Sequence, residues 1–259
     1  MKNLALVTGA SGGIGLELAR LHAKSGGDLL IVSRNLDSLE SVKVELENDH
    51  DVTVFVYGAD LTTDGAPQAI YDFTKEQGLE VDVLINNAGF GGHGKFHERS
   101  WSKDESMIKL NVTALCEMTH LFVQDMVGRK SGKILNVAST AGFLPGPMMA
   151  VYYATKAFVV SFSQAIAEEL KTEGITVTAL CPGPVKTGFA DAANVDGVDA
   201  FENAASPDDV ARVGYEAMQK GKLIAIDDWK LSLMINWLLP FLPRWTVLRM
   251  SRKTMSKNH

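Results

Sequence analysis

Short apolar runs alternate with longer segments of helical period along the whole chain, and this alternation restricts the fold more than any other feature. The runs are Leu4–Val7, Leu29–Val32, Val52–Val56, Val81–Ile85, Lys133–Val137, Thr176–Leu180 and Leu223–Ile226. Between them lie segments of helical spacing near 13–25, 36–48, 64–77, 104–128, 155–172 and 207–220. Alternation of this kind predicts an α/β architecture, a doubly wound parallel sheet of about seven strands with helices on both faces. "SGG" at 25–27 and "EG" at 173–174 supply helix stops. No repeat or low-complexity linker divides the 259 residues, so one domain is expected over 1–228, followed by a separate extension at 229–259. Residues 184–206, "PVKTGFADAANVDGVDAFENAAS", lack periodicity and are read as a lid, because a loop this long in a compact domain is usually functional.

Charge is divided unevenly. The chain carries 25 basic and 31 acidic side chains, a net charge of −6. No acid follows Asp228, whereas Lys230, Arg244, Arg249, Arg252, Lys253 and Lys257 do, so residues 1–229 hold 19 basic against 31 acidic groups, a net of −12. A body this acidic excludes nucleic acid as a partner, since phosphate neutralisation needs clustered Lys and Arg. Cys116 and Cys181 lie in apolar stretches without metal-ligand spacing and are read as reduced core residues of a cytoplasmic protein. Glycines interrupt the N-terminal apolar run early, so no secretion signal is expected.

The first run leads through Thr8, Gly9, Ala10, Ser11, Gly12, Gly13, Ile14 and Gly15 into an amphipathic segment. Glycine lets a backbone turn sharply and approach a phosphate closely, and a helix N-terminus offers free N–H groups to an anion. Placed between the first strand and first helix, this loop predicts dinucleotide binding. The second run ends in Ser33 and Arg34, where a preference for NAD would call for an acid. A guanidinium suits a 2′-phosphate, so NADP(H) is favoured over NAD(H); the alternative is a solvated surface arginine. Asp60, followed by Leu61 after the third run, is either an adenine contact or a turn residue.

Taken together, these motifs resemble the short-chain dehydrogenases/reductases, in the branch of about this length. The likeness covers residues 1 to about 226: Thr8-Gly9-x-x-x-Gly13-x-Gly15, Asn86-Asn87-Ala88-Gly89 after the fourth strand, Asn111, Ser139 ending the fifth strand, Tyr152-x-x-x-Lys156, and Pro182-Gly183 after the sixth. The resemblance implies a Rossmann-type domain catalysing reversible carbonyl/alcohol oxidoreduction, with Asn111, Ser139, Tyr152 and Lys156 as the catalytic set. Ser139 would orient the carbonyl, Lys156 would bond the nicotinamide ribose, and Asn111 would hold a water leading from Lys156 to solvent. It further implies cofactor contacts at Gly9, Ser11, Gly12, Gly13, Ile14, Gly15, Ser33, Arg34, Asp60, Leu61, Asn87, Ala88, Gly89, Pro182, Gly183, Val185 and Thr187, together with Tyr152 and Lys156. A homodimer or homotetramer through the helices at 104–128 and 152–172 is the family's usual assembly.

The chemistry requires a hydride donor, a proton donor and a group to hold the carbonyl oxygen. A phenol of ordinary pKa about 10 is a sluggish acid near neutrality, and a nearby ammonium helps it. On a helix both i,i+4 and i,i+3 neighbours meet, so geometry alone lets Lys156 serve either Tyr152 or Tyr153. The family pattern selects Tyr152 and leaves Tyr153 to packing.

The segment between Ser139 and Tyr152 is apolar and Met-rich, and Phe90, Phe143, Met148 and Phe189 are expected to wall the substrate site with Ser139. A hydrophobic substrate, lipid-, steroid- or aromatic-like, follows. No metal site is expected: His93 and His97 lie four apart, but among glycines and without a third ligand. Within the extension at 229–259, the apolar stretch from Leu231 to Pro243 is too short, and too broken by Asn236, Pro240 and Pro243, to span a bilayer. Packing on a subunit or on its own pocket is placed ahead of peripheral membrane contact. The rival function is a non-catalytic NADP(H)-sensing or scaffolding protein on the same fold.

Overall fold

The computed structural model describes residues 2–193, 195 and 204–255. Seven strands form one parallel sheet in the order β3-β2-β1-β4-β5-β6-β7: β1 (Leu4–Thr8), β2 (Leu29–Ser33), β3 (Val54–Gly58), β4 (Val81–Asn86), β5 (Gly132–Val137), β6 (Ile175–Leu180) and β7 (Ile224–Ala225). Because side chains alternate across a strand, each strand feeds two cores. Ala5, Val7, Leu29 and Ile31 face one side with Leu18, Leu39, Val210 and Met218. Leu4, Leu6, Leu30 and Val32 face the other with Ile70, Met118, Phe122 and Met126.

The first side is covered by α1 (Gly13–Lys24), α2 (Leu36–Asp49) and, after the lid region, the helix Pro207–Gln219. The second is covered by α3 (Ala66–Glu76), α5 (Leu115–Arg129) and α6 (Ala150–Leu170), while α4 (Trp101–Ile108) packs through Met107 into the cluster around Tyr152. Between α4 and α5 the chain runs on through a widened π turn, Lys109–Ala114, so the helix expected near 104–128 is longer and has a bulge at its centre. The helix expected near 155–172 begins at Ala150, five residues earlier, because Tyr152 and Tyr153 are both buried and obscure the period.

After β6 the chain forms the short α7 (Phe189–Ala193), then α8 (Pro207–Gln219). The expected lid falls here; its residues 194 and 196–203 lie outside the described residues. Its base is pinned by a parallel bridge from Val185 to Ala205. The extension folds as α9 (Trp229–Leu233), further helical turns over 234–241, and α10 (Arg244–Thr254). The reversal of strand order between β1 and β4 opens a crevice at the carboxyl ends of the strands, where ligands of such sheets bind. Every motif of interest leads into that edge.

Candidate active site

The glycine loop is shaped by backbone demands. Gly9 and Gly13 have φ of +68° and +57°, a region that side chains disfavour. A Cβ on Gly15 would run into the Gly9 carbonyl oxygen, so only glycine lets α1 start against the turn. At Gly12 no heavy atom lies within 4 Å of a Cβ position, and neither a capping side chain nor an acid occupies the first turn of α1. Free N–H groups at an uncapped helix start fit a pyrophosphate. Ser11 and Ile14 lie in this loop, and the Thr187 methyl sits about one contact away, 3.0 Å from a Cβ position on Gly13.

Thr8 locks the loop to the neighbouring strand end. Its hydroxyl accepts from the N–H groups of Asn87 and Ala88, both at 3.0 Å, while the Asn87 amide donates to the Thr8 and Gly9 carbonyls at 2.9 and 3.2 Å. Thr8 was legible as a motif letter, but its bracing role was not. Deeper, Asn86 donates to Thr119 and Asn136, and Asn136 donates to Ser163, forming a fully buried polar chain that ties β4 and β5 to α5 and α6. Buried amides are tolerable only when bonded in this way.

Arg34 is exposed just past β2 and bonds no carboxylate among the described residues, while Ser33 donates to the Asn35 carbonyl at 3.3 Å. Asp60 proves to be a turn residue: one carboxylate oxygen accepts from both the N–H and the hydroxyl of Thr62, which, with the charge of Arg34 contributing, lowers its pKa. The Leu61 and Val185 side chains are buried in the two cores.

Ser139, Tyr152 and Lys156 converge beside this loop. Burial holds the Tyr152 phenol well above its ordinary pKa, and the facing Ser139 hydroxyl pulls it partly back. The Lys156 ammonium lies 5.9 Å from the Tyr152 ring centroid and donates to the Val137 carbonyl at 2.8 Å. Burial lowers its pKa to about 8. Ser139 is held by accepting from Ala141 N–H and donating to the Pro182 carbonyl. The loop at Pro182-Gly183 is clamped further by Asp227, which accepts from Gly183 N–H at 2.9 Å, a contact across 44 residues that carries no sequence signal.

Asn111 occupies the π turn, where the widened backbone turns it inward; it is buried. Its amide donates to the Phe90 carbonyl and Thr155 hydroxyl, and its oxygen accepts from Phe90 N–H. A Cβ on Gly89 would lie 3.0 Å from the Asn111 oxygen and 3.5 Å from Lys156 Nζ, so Gly89 leaves the two side chains facing across its backbone.

Tyr153 is placed elsewhere. Its ring packs on Gly146, its hydroxyl approaches Ser251 of α10, and burial pushes its pKa up to about 12. Phe90, Met148 and Phe189 gather around Tyr152, with Phe189 5.2 Å from its ring. Phe143 does not belong to this wall: it packs with Leu115, Val159 and Cys181 in a separate cluster, because the turn over Thr140–Phe143 rotates it away. Met255 of the extension joins the Tyr152 cluster, and the His93 ring bonds its carbonyl at 2.9 Å. His97 is a surface residue beside Glu98. Burial pushes the Cys181 thiol up to about 12, keeping it protonated and a poor nucleophile.

The arrangement can cradle a dinucleotide and hand a proton to a carbonyl oxygen. The family model for short chain dehydrogenases matches residues 3–197, and the chain belongs to that family. It is 31% identical to the very-long-chain 3-oxoacyl-CoA reductase of Macaca fascicularis over 95% of this chain and 78% of that one. It is 35% identical to the 17-beta-hydroxysteroid dehydrogenase type 3 of Homo sapiens over 73% of this chain, which spans 61% of that protein. Among solved structures, a short-chain dehydrogenase from Sphingobium yanoikuyae in complex with NADPH superposes with a TM-score of 0.84 at 30% identity, covering 92% of each chain. The protein is therefore an NAD(P)(H)-linked oxidoreductase of carbonyl and alcohol groups.

Proposed function

We propose that the chain interconverts a hydrophobic ketone and its secondary alcohol with NADP(H). The observation that carries this reading is the convergence of Ser139, Tyr152 and Lys156 at the mouth of the glycine loop. Bound there, the nicotinamide supplies or accepts the hydride. The Tyr152 hydroxyl donates its proton to the carbonyl oxygen as charge develops, and Ser139 bonds the same oxygen. The Lys156 ammonium stabilises the phenolate left behind. Both amide hydrogens of Asn111 are engaged, so the spare lone pair on its oxygen is what remains to hold a water facing Lys156.

NADP(H) preference is supported by the exposed Arg34, which forms no ion pair with a carboxylate among the described residues, and by the NADPH held in the Sphingobium structure. The hydrophobic substrate is supported by Phe90, Met148 and Phe189 around Tyr152, and by the acyl and steroid chemistry in the names of both relatives. Assembly as a homodimer or homotetramer through α4, α5 and α6 is part of the proposal; the half-exposed Phe158, stacked on Phe162 at 5.8 Å, supports that face. Cytoplasmic residence is proposed on the two unpaired cysteines.

A panel of steroid, long-chain 3-oxoacyl and small polar ketones, followed by NADPH and NADH absorbance, tests the reading. Turnover confined to small polar ketones would reject the substrate class. Tight NADPH binding with no turnover at all would favour the sensing alternative. Arg34→Ala should weaken NADPH by roughly ten- to a hundredfold, the worth of a charge-assisted bond, while leaving NADH nearly unchanged.

A further inference from the structure

The C-terminal extension has two faces with different chemistry. One packs inward: Leu231 meets Gly183, Ile235, Val247 and Ser251 are buried, and Met255 reaches the Tyr152 cluster. The other presents Trp229, Trp237, Phe241 and Trp245 at 71, 71, 81 and 76% exposure, with Leu233 and Leu238 half-exposed between them. Three of the four tryptophans in the chain thus stand in solvent within one short segment. Lys230, Arg244, Arg249 and Lys253 are exposed alongside, and no acid follows Asp228. On α10 the spacing of 245, 249 and 252 sets Trp245, Arg249 and Arg252 on one stripe, opposite Val247, Ser251 and Met255.

We propose that this face docks the protein on an anionic lipid bilayer as a peripheral contact. Tryptophan and phenylalanine settle at the boundary between headgroups and acyl chains, and lysine and arginine are drawn to anionic headgroups. Two observations choose lipid over a second copy. A two-fold contact of this segment with itself would gather Lys230, Arg244, Arg249 and Lys253 of both copies into one interface with no acid in the segment to compensate. The remaining body, at −12, is repelled by the same bilayer, so the segment orients the molecule. No helix among the described residues is long and apolar enough to cross a membrane, which leaves surface contact as the mode. The inward face of the same segment lines the active site, so docking would bring the Tyr152 cluster close to the lipid.

The test is co-sedimentation of the full chain with vesicles of phosphatidylcholine alone and of equal parts phosphatidylcholine and phosphatidylserine, at low and high salt. The proposal expects binding to the mixed vesicles, relieved by salt. Replacing Arg249→Gln and Lys253→Gln together should weaken it roughly thirtyfold, about fivefold per charge. Trp237→Ser with Trp245→Ser should abolish it, while thermal melting and NADPH binding stay as in the parent. Equal binding to both vesicle types, or none, overturns the proposal. So does a tryptophan variant that still binds lipid, or one whose only change is a fall in oligomer mass by light scattering.

Discussion

Replacing Lys156 by methionine separates what the lysine does for chemistry from what it costs the fold. The ammonium stands 5.9 Å from the Tyr152 ring centroid. At an effective dielectric of about 20 that distance stabilises a phenolate by about 3 kcal/mol, about two pKa units, or a rate factor of about a hundred. Carbonyl reduction by Lys156→Met at saturating cofactor should therefore fall about a hundredfold near neutrality. Burial has also brought the lysine to about 8, so the parent should lose rate as pH rises through that value and the charge is titrated away. The variant should run low and flat, and the two profiles should converge in alkali. Stability should move the other way. Between about 8 in the folded chain and the ordinary 10.5, the unfolded state binds the extra proton, so the parent grows more stable as pH rises through that window. At neutral pH the buried charge costs about 3 kcal/mol by this shift. Removing it leaves the Val137 carbonyl without its donor, which costs about 1–3 kcal/mol, so a net gain of about 1 kcal/mol is expected. Rate–pH profiles and urea melts at several pH values measure both. A variant that keeps an inflection near 8, or loses less than about fivefold in rate, would refute the coupling of lysine to phenol.

Tyr152→Phe should abolish turnover, with NADPH binding retained by fluorescence titration. Tyr153→Phe should leave the rate within about twofold and lower stability by about 1 kcal/mol, since it gives up only its hydroxyl's approach to Ser251. Thr8→Val removes the acceptor of two N–H groups and should destabilise by about 2–4 kcal/mol, with NADPH affinity falling in the same titration. Asp227→Ala frees the Gly183 N–H and should raise the KM for cofactor more than it lowers kcat, whereas Asp227→Asn, which keeps an acceptor oxygen, should restore most of the loss.

The strands were legible to within two residues because a sheet buried on both faces writes each strand as an apolar run. The catalytic letters Ser139, Tyr152 and Lys156 were legible through the family pattern, since helix geometry alone left Lys156 within reach of either tyrosine. What failed to show was either a local backbone irregularity or a contact between distant residues. The π turn that sends Asn111 inward leaves no mark, since its six residues, "KLNVTA", would read equally well as ordinary helix. Phe143 was misplaced because apolar character predicts burial but not which cluster receives the ring, and a single tight turn decided that. Asp227 and Gly183 are joined only when β7 closes the sheet edge beside β6. The extension poses the same problem in another form. Its apolar content reads as core, yet the fold offers room for one face only. Leu231, Ile235, Val247 and Met255 fill that space, while Trp229, Trp237 and Trp245 stay more than two-thirds exposed among the described residues, and the proposed bilayer contact is what would bury them.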